Sequence, residues 1–279
     1  IHGTSGQPAD RTLLRPLPRF FRKAGIAMTT FLILAVNLLV GICIGLTGIA
    51  GFLLPMFYTG FLGMGTVDAL ALSFAAFFIS GILGSFNYFR SGNLDLKSGA
   101  ALSAGSLAGA VFGVNLNLLI PEDIIKILLY LVVLLSGISI LVREQMAKAK
   151  DREGAGTGRG QTGTVPSLPV MGTGRILSYV LLGLATGAVC AASGAGGPVL
   201  VMPLLTTMGF PAHTAVGIAL FDSIFIAIPS IAGYFSAAPD PAALLALLPL
   251  VLIFHGIGVY AGSKYAVRIN QGVLKAIVA

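Results

Sequence analysis

The sequence has few charged residues, two cysteines and no tryptophan. Charged residues make up 10% of the chain and apolar residues 56%, whereas an average soluble domain carries about 25% charged residues. This composition excludes an ordinary soluble domain. Cys43 and Cys190 both lie in apolar segments, where a free thiol behaves as a small hydrophobic group, so they do not indicate a disulfide framework. Any aromatic belt must come from tyrosine and phenylalanine.

Long uncharged runs separate the few charged residues. From Ala24 to Val67 the chain carries no charge, and the mean hydropathy of the sequence is +0.95. This pattern predicts an all-α polytopic membrane protein, because a β-barrel would alternate polar and apolar residues. The net charge of +7 could suit nucleic acid, but basic residues between apolar runs are typical of cytoplasmic loops near anionic lipid. We expect a multi-pass protein of the inner (plasma) membrane, with the lipid bilayer as partner and no nucleic acid.

Polar stretches divide the chain into four parts. They are a basic N-terminal segment (1–27), a first membrane repeat (28–142), a hydrophilic linker (143–175) and a second membrane repeat (176–279), whose last helix is expected to be incomplete. Met28 opens the first apolar run and is the expected start of the native chain. The residues before it would be a fusion remnant or a misassigned leader, and a signal peptide is the alternative.

Apolar segments of about 20 residues can each cross a bilayer, and their number predicts about eight transmembrane helices in two internal repeats. Each repeat contains one broken or re-entrant helix. Asp68 is expected to cap the helix that follows it, because its side chain can accept hydrogen bonds from the first N–H groups. The predicted segments of the first repeat are Thr30–Leu46, the half-length Phe52–Leu62, Ala69–Phe89, Ser98–Ile120 and Ile124–Val142.

Two stretches rich in glycine and proline interrupt the apolar runs. Ser193–Pro203 holds three glycines and two prolines, a composition that disfavours one unbroken helix. Thr47–Pro55 has the same character. Because backbone polar groups that face lipid cannot stay unpaired, we expect both breaks to line a cavity inside the protein. Matching breaks in the two halves of a membrane protein indicate a transporter binding site.

The second half of the chain repeats the first, with a longer break. The orientation of the repeats stays open, because the charged loops conflict. Positive residues at both ends of the first half favour an even number of crossings and parallel repeats, whereas Lys264 and Arg268 favour an odd number and inverted repeats. The aligned glycines are Gly41 with Gly183, Gly45 with Gly187, Gly109 with Gly258 and Gly113 with Gly262.

The breaks predict an anion site that uses no buried lysine or arginine. A helix that starts at membrane depth presents unpaired N–H groups and the positive end of its dipole, and no basic residue lies within either break. A small anion with several oxygens suits such a nest of N–H groups. The alternative is that the glycines only permit close helix packing. The predicted substrate-binding residues are Thr47, Gly48, Gly51, Ser193, Gly194, Gly196 and Gly197.

The residues around the second break resemble those of a known family. The pattern reads Gly194-Ala-Gly-Gly197, then Pro203, Gly209 and Ala215–Leu220. Present in both halves, it resembles the sulfite exporter TauE/SafE family of membrane transporters over about residues 30–279. The resemblance implies export or uptake of sulfite, sulfonates or related sulfur or carboxylate anions, coupled to the proton gradient. The first copy departs from the pattern, since Gly48-Ile-Ala-Gly51 has one glycine fewer and Asp68 replaces a small or hydroxyl residue.

Two ionisable side chains lie in the middle of apolar spans. Asp222 stands between Phe221 and Ser223, where a charged carboxylate is costly, so it must be protonated, paired or facing water. Its predicted role is proton coupling. The alternative is a neutral carboxyl group that hydrogen-bonds a neighbouring helix. His255 either titrates or hydrogen-bonds a partner helix.

Three functions remain open on these residues. We predict a secondary transporter, not an enzyme, that exports a small sulfur-containing anion bound between the two broken helices, with one repeat moving against the other. An intramembrane serine hydrolase would instead use Ser193 and His255 as a dyad, and a non-transporting scaffold is the third possibility. A small anionic substrate is the expected partner, a homodimer is an open arrangement, and no cofactor or metal is expected.

Overall fold

The computed structural model describes residues 19–121 and 173–266, together with some positions between 123 and 134. Side chains are described from Met28 and from Arg175 onwards. The predicted linker, apart from its last residues, and the predicted final helix lie outside the described part of the chain. The predicted helix 124–142 is described only at a few helical positions.

The described residues form helices joined by short loops and include no strand. The chain divides into two compact units, Ile1–Ile33 and Leu34–Ala279. The described part of the first unit is helical, and all the packing below lies within the second. The helices are α1 (Arg19–Thr47), α2 (Ala50–Phe61), α3 (Thr66–Arg90), α4 (Leu96–Leu119), α5 (Thr173–Ser193), α6 (Gly197–Thr207), α7 (Ala212–Ala237) and α8 (Pro241–Ala266).

Six of these helices are long and apolar enough to cross a membrane, namely α1, α3, α4, α5, α7 and α8. Helices α2 and α6 are also apolar, but at about 1.5 Å per residue they are too short to span a bilayer core of about 30 Å. Helix α2 is irregular, since a 3-10 turn (Ala50–Phe52), one α turn and a wider π turn (Phe57–Phe61) follow each other. The protein is therefore an all-α, multi-pass membrane protein.

Glycine ends both of the helices that precede the short ones. Helix α1 stops at Gly48 (φ 73°) and α5 stops at Gly194 (φ 74°), and both glycines adopt the left-handed conformation that terminates many helices. The N–H of Gly48 donates to the carbonyl of Ile44 (2.7 Å), and that of Gly194 donates to the carbonyl of Cys190 (2.9 Å). The predicted breaks therefore begin where a helix is closed by its own backbone.

One detail of the predicted boundaries is wrong. Helix α3 begins at Thr66 with Gly65 before it, so Asp68 lies in the first turn and does not cap the helix; the helix dipole still favours an acidic residue there. Residues 48–49 separate α1 from α2, and residues 194–196 separate α5 from α6.

Glycines bring helices of the two halves into main-chain contact. Helix α4 of the first half packs on α5 of the second, and α1 packs on α8. Successive contacts lie further towards the C-terminus of both helices, so the two helices of each pair run in the same direction. A Cβ atom on any of these glycines would overlap the backbone of the facing helix, and small residues allow such an approach. They are Gly105, Gly109 and Gly113 of α4, Gly183 and Gly187 of α5, Gly41 and Gly45 of α1, and Gly258 and Gly262 of α8.

Helices α3 and α7 pack against each other in opposite directions. Gly81 of α3 meets Leu220 of α7, whereas Phe74, nearer the start of α3, stacks on Tyr234 near the end of α7 with ring centroids 5.7 Å apart. Helix α8 runs in the same direction as α3. Ser80 of α3 contacts His255 of α8, and further towards the C-terminus of both helices Asn87 donates to Ser263 (2.7 Å). The described lysine and arginine side chains therefore lie at one end of the helices, at Arg90, Lys97, Arg175 and Lys264.

We expect Gly183→Ala to destabilise the protein, because the added Cβ would overlap the carbonyl oxygen of Leu102 in α4. Overpacking of this kind costs about 1–3 kcal/mol. Gly60→Ala is the matched control, since a Cβ there has no neighbouring atom within 4 Å. Thermal unfolding in detergent measures the difference. Equal melting temperatures for the two variants would contradict the close contact.

Candidate functional site

The two breaks lie against each other in the interior. A Cβ position at Gly51 would be 3.4 Å from the carbonyl oxygen of Ala195. Phe52 and Met56 of α2 pack on Ala195 and Val199 at the start of α6. The breaks, which are far apart in sequence, therefore form one region. All seven predicted substrate-binding residues belong to this region, and all seven are buried.

Phe77 lies between the two breaks, near the middle of α3. The Cβ positions of Gly51 and Gly196 are each 3.3 Å from its ring. Both breaks are thus at mid-depth along α3, as a site inside the membrane requires. The sequence gives no signal for Phe77, because it is one apolar residue among many in that span.

The two predicted hydroxyl groups occupy equivalent positions in the breaks. Thr47 accepts a hydrogen bond from the N–H of Ile49 (3.2 Å), and Ser193 accepts one from Ala195 (3.3 Å). The Thr47 hydroxyl also donates to the carbonyl of Cys43 (2.8 Å). Because a hydroxyl has a single proton, Thr47 has no further donor for an anion in this conformation. The Ser193 proton has no acceptor among the described residues, so Ser193 retains a donor.

The backbone donors of the breaks differ in availability. The N–H groups of Gly48 and Gly194 are used within α1 and α5. Gly196 precedes α6 with φ 77° and Gly197 is its first residue, so their N–H groups precede the helical hydrogen-bond pattern. Helix α6 runs for 11 residues with α geometry, whereas α2 begins as a 3-10 turn. The dipole at the second break is therefore better developed than the one at the first.

Asp222 is completely buried in the middle of α7. Neither of its carboxyl oxygens has a hydrogen-bond partner among the described residues. The hydroxyls of Ser106 and Ser103 on α4 are its polar neighbours, but neither reaches it with hydrogen-bond geometry, and Ser103 is itself buried without a partner. The start of α6 is close by, since a Cβ at Gly197 would be 3.4 Å from the Cα of Ser223. The structure therefore brings Asp222 to the second break.

His255 does not pair with Ser193. Its Nε2 lies 2.6 Å from the Ser80 hydroxyl and its Nδ1 lies 3.0 Å from the carbonyl of Asn37. Both ring nitrogens are thus occupied by groups of α3 and α1. The Ser193–His255 dyad of the hydrolase alternative is not formed. Asn37 was expected from the sequence to hydrogen-bond another helix, whereas Ser80 was not identified, because its partner is distant along the chain.

These features define an α-helical membrane protein with a buried polar region at two helix breaks. Residues 32–279 match the family described as sulfite exporter TauE/SafE, and the chain belongs to this family. It is 26% identical over 250 residues to the probable membrane transporter protein YdhB of Bacillus subtilis, covering 88% of this chain and 94% of the relative. It is 24% identical over 260 residues to the probable membrane transporter protein MJ0441 of Methanocaldococcus jannaschii, covering 87% and 86%. No solved structure matches. The chain is accordingly a membrane transporter, not an enzyme.

We expect Gly194→Ala to be more damaging than Gly209→Ala. Both glycines have positive φ, at 74° and 95°, so alanine costs about 1–2 kcal/mol of left-handed strain at either position. Only the Cβ at Gly194 would overlap a side chain, the end of Leu70, whereas Gly209 faces open space. Melting temperatures in detergent measure the gap. Leu70→Ala alone should cost about 2–5 kcal/mol, because Leu70 is buried. The double mutant should lose less stability than the sum of the two single losses, and additive losses would contradict this packing.

Proposed function

We propose that the protein is a secondary transporter, and an exporter, of a small sulfur-containing anion such as sulfite or an organosulfonate, bound between the two breaks. The observation that carries the proposal is the buried meeting of the breaks at Gly51 and Ala195, with the N-terminus of α6 beside it. The described basic side chains lie at helix ends, so an anion there would be held by backbone N–H groups and Ser193. The description of the family supports the choice of a sulfur anion.

We further propose that α1–α4 and α5–α8 are inverted structural repeats. Each contact between the halves has a counterpart, such as α1 on α8 and α5 on α4. The offset that relates Gly48 to Gly194 also relates Tyr88 to Tyr234, whose hydroxyls donate to the carbonyls of Gly45 (3.4 Å) and Ala191 (2.8 Å). The antiparallel packing of α3 on α7 fits a pseudo-two-fold axis in the membrane plane.

Inverted repeats also reconcile most of the charge pattern. The described basic side chains share one end of the helices, and the positive-inside rule makes that end cytoplasmic. The loop between α3 and α4 would then face the cytoplasm. The loop between α7 and α8, which contains Asp240, would face outwards. This arrangement fits a protein of the inner (plasma) membrane.

Cysteine labelling tests the orientation of the repeats. Phe61 and Thr207, which the same offset relates, are both exposed at the ends of α2 and α6. In a background without Cys43 and Cys190, we expect Thr207→Cys to label from the cytoplasmic side and Phe61→Cys from the outside. Ser91→Cys, in the exposed α3–α4 loop, serves as the cytoplasmic reference. An impermeant maleimide on intact and opened cells measures the side, and labelling of both positions from one side would favour parallel repeats.

The packing changes the expected motion. Because the first helix of each half is held on the fourth helix of the other by main-chain contact, the halves cannot separate as two rigid bodies without losing both contacts. We propose that α1 with α8, and α4 with α5, move as units built from both halves. The short helices α2 and α6, together with the breaks, would then lie between these two units.

Asp222 is the proposed proton-coupling residue. We expect reconstituted protein to carry labelled sulfite or a sulfonate with saturable kinetics that a pH gradient accelerates. Asp222→Asn should abolish that acceleration, because the amide cannot bind and release a proton. Asp240→Asn, an isosteric change at an exposed position, is the control and should keep it. Proteoliposome flux with and without the pH gradient measures the response of both variants.

Absence of saturable flux for any small anion would refute a small anion as the substrate. An unchanged response to the gradient in Asp222→Asn would remove Asp222 from the coupling.

A further inference from the structure

His255 lies in a hydrogen-bonded site that the proposed mechanism has not used. It is completely buried in α8, and it contacts the Asn37 carbonyl through Nδ1 (3.0 Å) and the Ser80 hydroxyl through Nε2 (2.6 Å). A carbonyl oxygen can only accept, so Nδ1 carries a proton in every state of the ring. The protonation of His255 is therefore decided at Nε2, beside Ser80.

Ser80 can serve both protonation states without moving. Its oxygen also lies 3.0 Å from the carbonyl of Ala76. With a neutral ring, the Ser80 proton is donated to Nε2. With a charged ring, Nε2–H donates to the Ser80 oxygen, and the Ser80 proton turns to Ala76. Hydrogen bonds of the ring are complete in both states, as a residue that binds and releases a proton requires.

The site is the counterpart of the Asp222 site in the other half. The offset that relates Gly109 to Gly258 also relates Ser106 to His255. Ser106 donates to the carbonyl of Gly183 (3.2 Å), just as His255 Nδ1 donates to Asn37 at the related position. Asp222 lies beside Ser106. Equivalent regions between the halves thus each contain an ionisable group, a carboxyl near α4 and an imidazole on α8, although the two residues are not equivalent, since His255 corresponds to Ser106 and Asp222 to Ala76.

We infer that His255 is a second proton-binding residue of the transport cycle, an inference that rests on the proposed secondary transport. A proton from water on one side binds Nε2 and leaves from Nε2 to water on the other side. Since the ring is buried and α1 stays on α8, this exchange requires the contact of α8 with α3 at Ser80 to open, which ties protonation to conformation. Asn37 extends the link to the short helix α2, because its side-chain amide donates to the Tyr58 hydroxyl (2.8 Å).

The surroundings of His255 supply no competing charge. From α1 it meets Asn37 and Gly41, and from α3 it meets Ser80. Tyr58 of α2 is linked to this site through the side chain of Asn37. No aspartate, glutamate, lysine or arginine faces the ring within the described residues. A change in its charge would therefore act through Ser80 and Asn37.

Direct observation of the ring tests proton binding without any transport assay. The chain has three histidines, so ¹⁵N-histidine labelling in nanodiscs gives few signals, and His255→Gln assigns the relevant one. We expect neutral His255 to be the Nδ1–H tautomer and to convert to imidazolium as the pH is lowered. An Nε2–H tautomer, or a signal that does not change over the pH range of the folded protein, would overturn the inference.

Transport separates a coupling role from a structural one. We expect His255→Gln to keep exchange of internal for external labelled sulfite while losing its response to a pH gradient. His213→Gln, the same change at a second buried histidine, should keep both. If His255→Gln fails to fold, Ser80→Ala replaces it and should shift the pH profile. An unaltered profile in either folded variant would refute the role of His255. Absence of flux in the wild type would refute the proposed function, and the ring titration would still decide proton binding.

Discussion

Main-chain contact between helices of different halves is the constraint on which the rest of the structure depends. The glycines of α4 and α5, and those of α1 and α8, allow no side chain between the two backbones. Lipid offers no hydrophobic drive for such contacts, so close packing itself must hold the helices together. Because α1 and α5 are held on the opposite half, their ends at Gly48 and Gly194 are delivered to the interior. The breaks can then be stabilised by protein, as backbone at membrane depth must be.

The two equivalent helix contacts therefore hold different ionisable groups. In equivalent regions, the first contact holds His255, Ser80 and Asn37 in a complete hydrogen-bond network, whereas the second holds Asp222 beside Ser103 and Ser106, with no hydrogen bond to its carboxyl oxygens among the described residues. Buried polar groups without partners are costly. A proton on Asp222, or a water molecule in another conformation, would therefore stabilise the carboxyl group beside Ser103 and Ser106.

The sequence predicted the all-α membrane class and the long helices, because composition reports directly on lipid. The glycine-proline clusters also coincide with the helix ends before Gly48 and Gly194, because glycine terminates helices. The register of the alignment between the two halves was predicted less well. The alignment related Gly41 to Gly183, but packing relates Gly41, which contacts the His255 carbonyl, to Gly187, which contacts the Ser106 carbonyl. Because the glycines recur every four residues, an alignment of the two halves shifted by about one helical turn matches the glycines equally well. The pairing of Ser80 with His255 could not be found either, since it depends on how distant helices pack.

A break without lysine or arginine has an electrostatic consequence for coupling. The empty breaks carry partial charges of backbone N–H groups but no fixed charge, so the empty carrier can reorient without moving charge across the membrane. Loading a monoanion adds one negative charge, and a membrane potential that is negative inside favours its export, and opposes its uptake, by about 2.3 kcal/mol per 100 mV. One proton on His255, bound with the anion and absent on the return, cancels that charge in the loaded carrier. One proton on Asp222 does not cancel it, because it only removes the negative charge that the carboxylate would carry on the return, but one anion and one proton still cross per cycle without net movement of charge. Two buried ionisable groups in equivalent regions would thus let binding of the anion and of the proton be coupled without a lysine or arginine in the site.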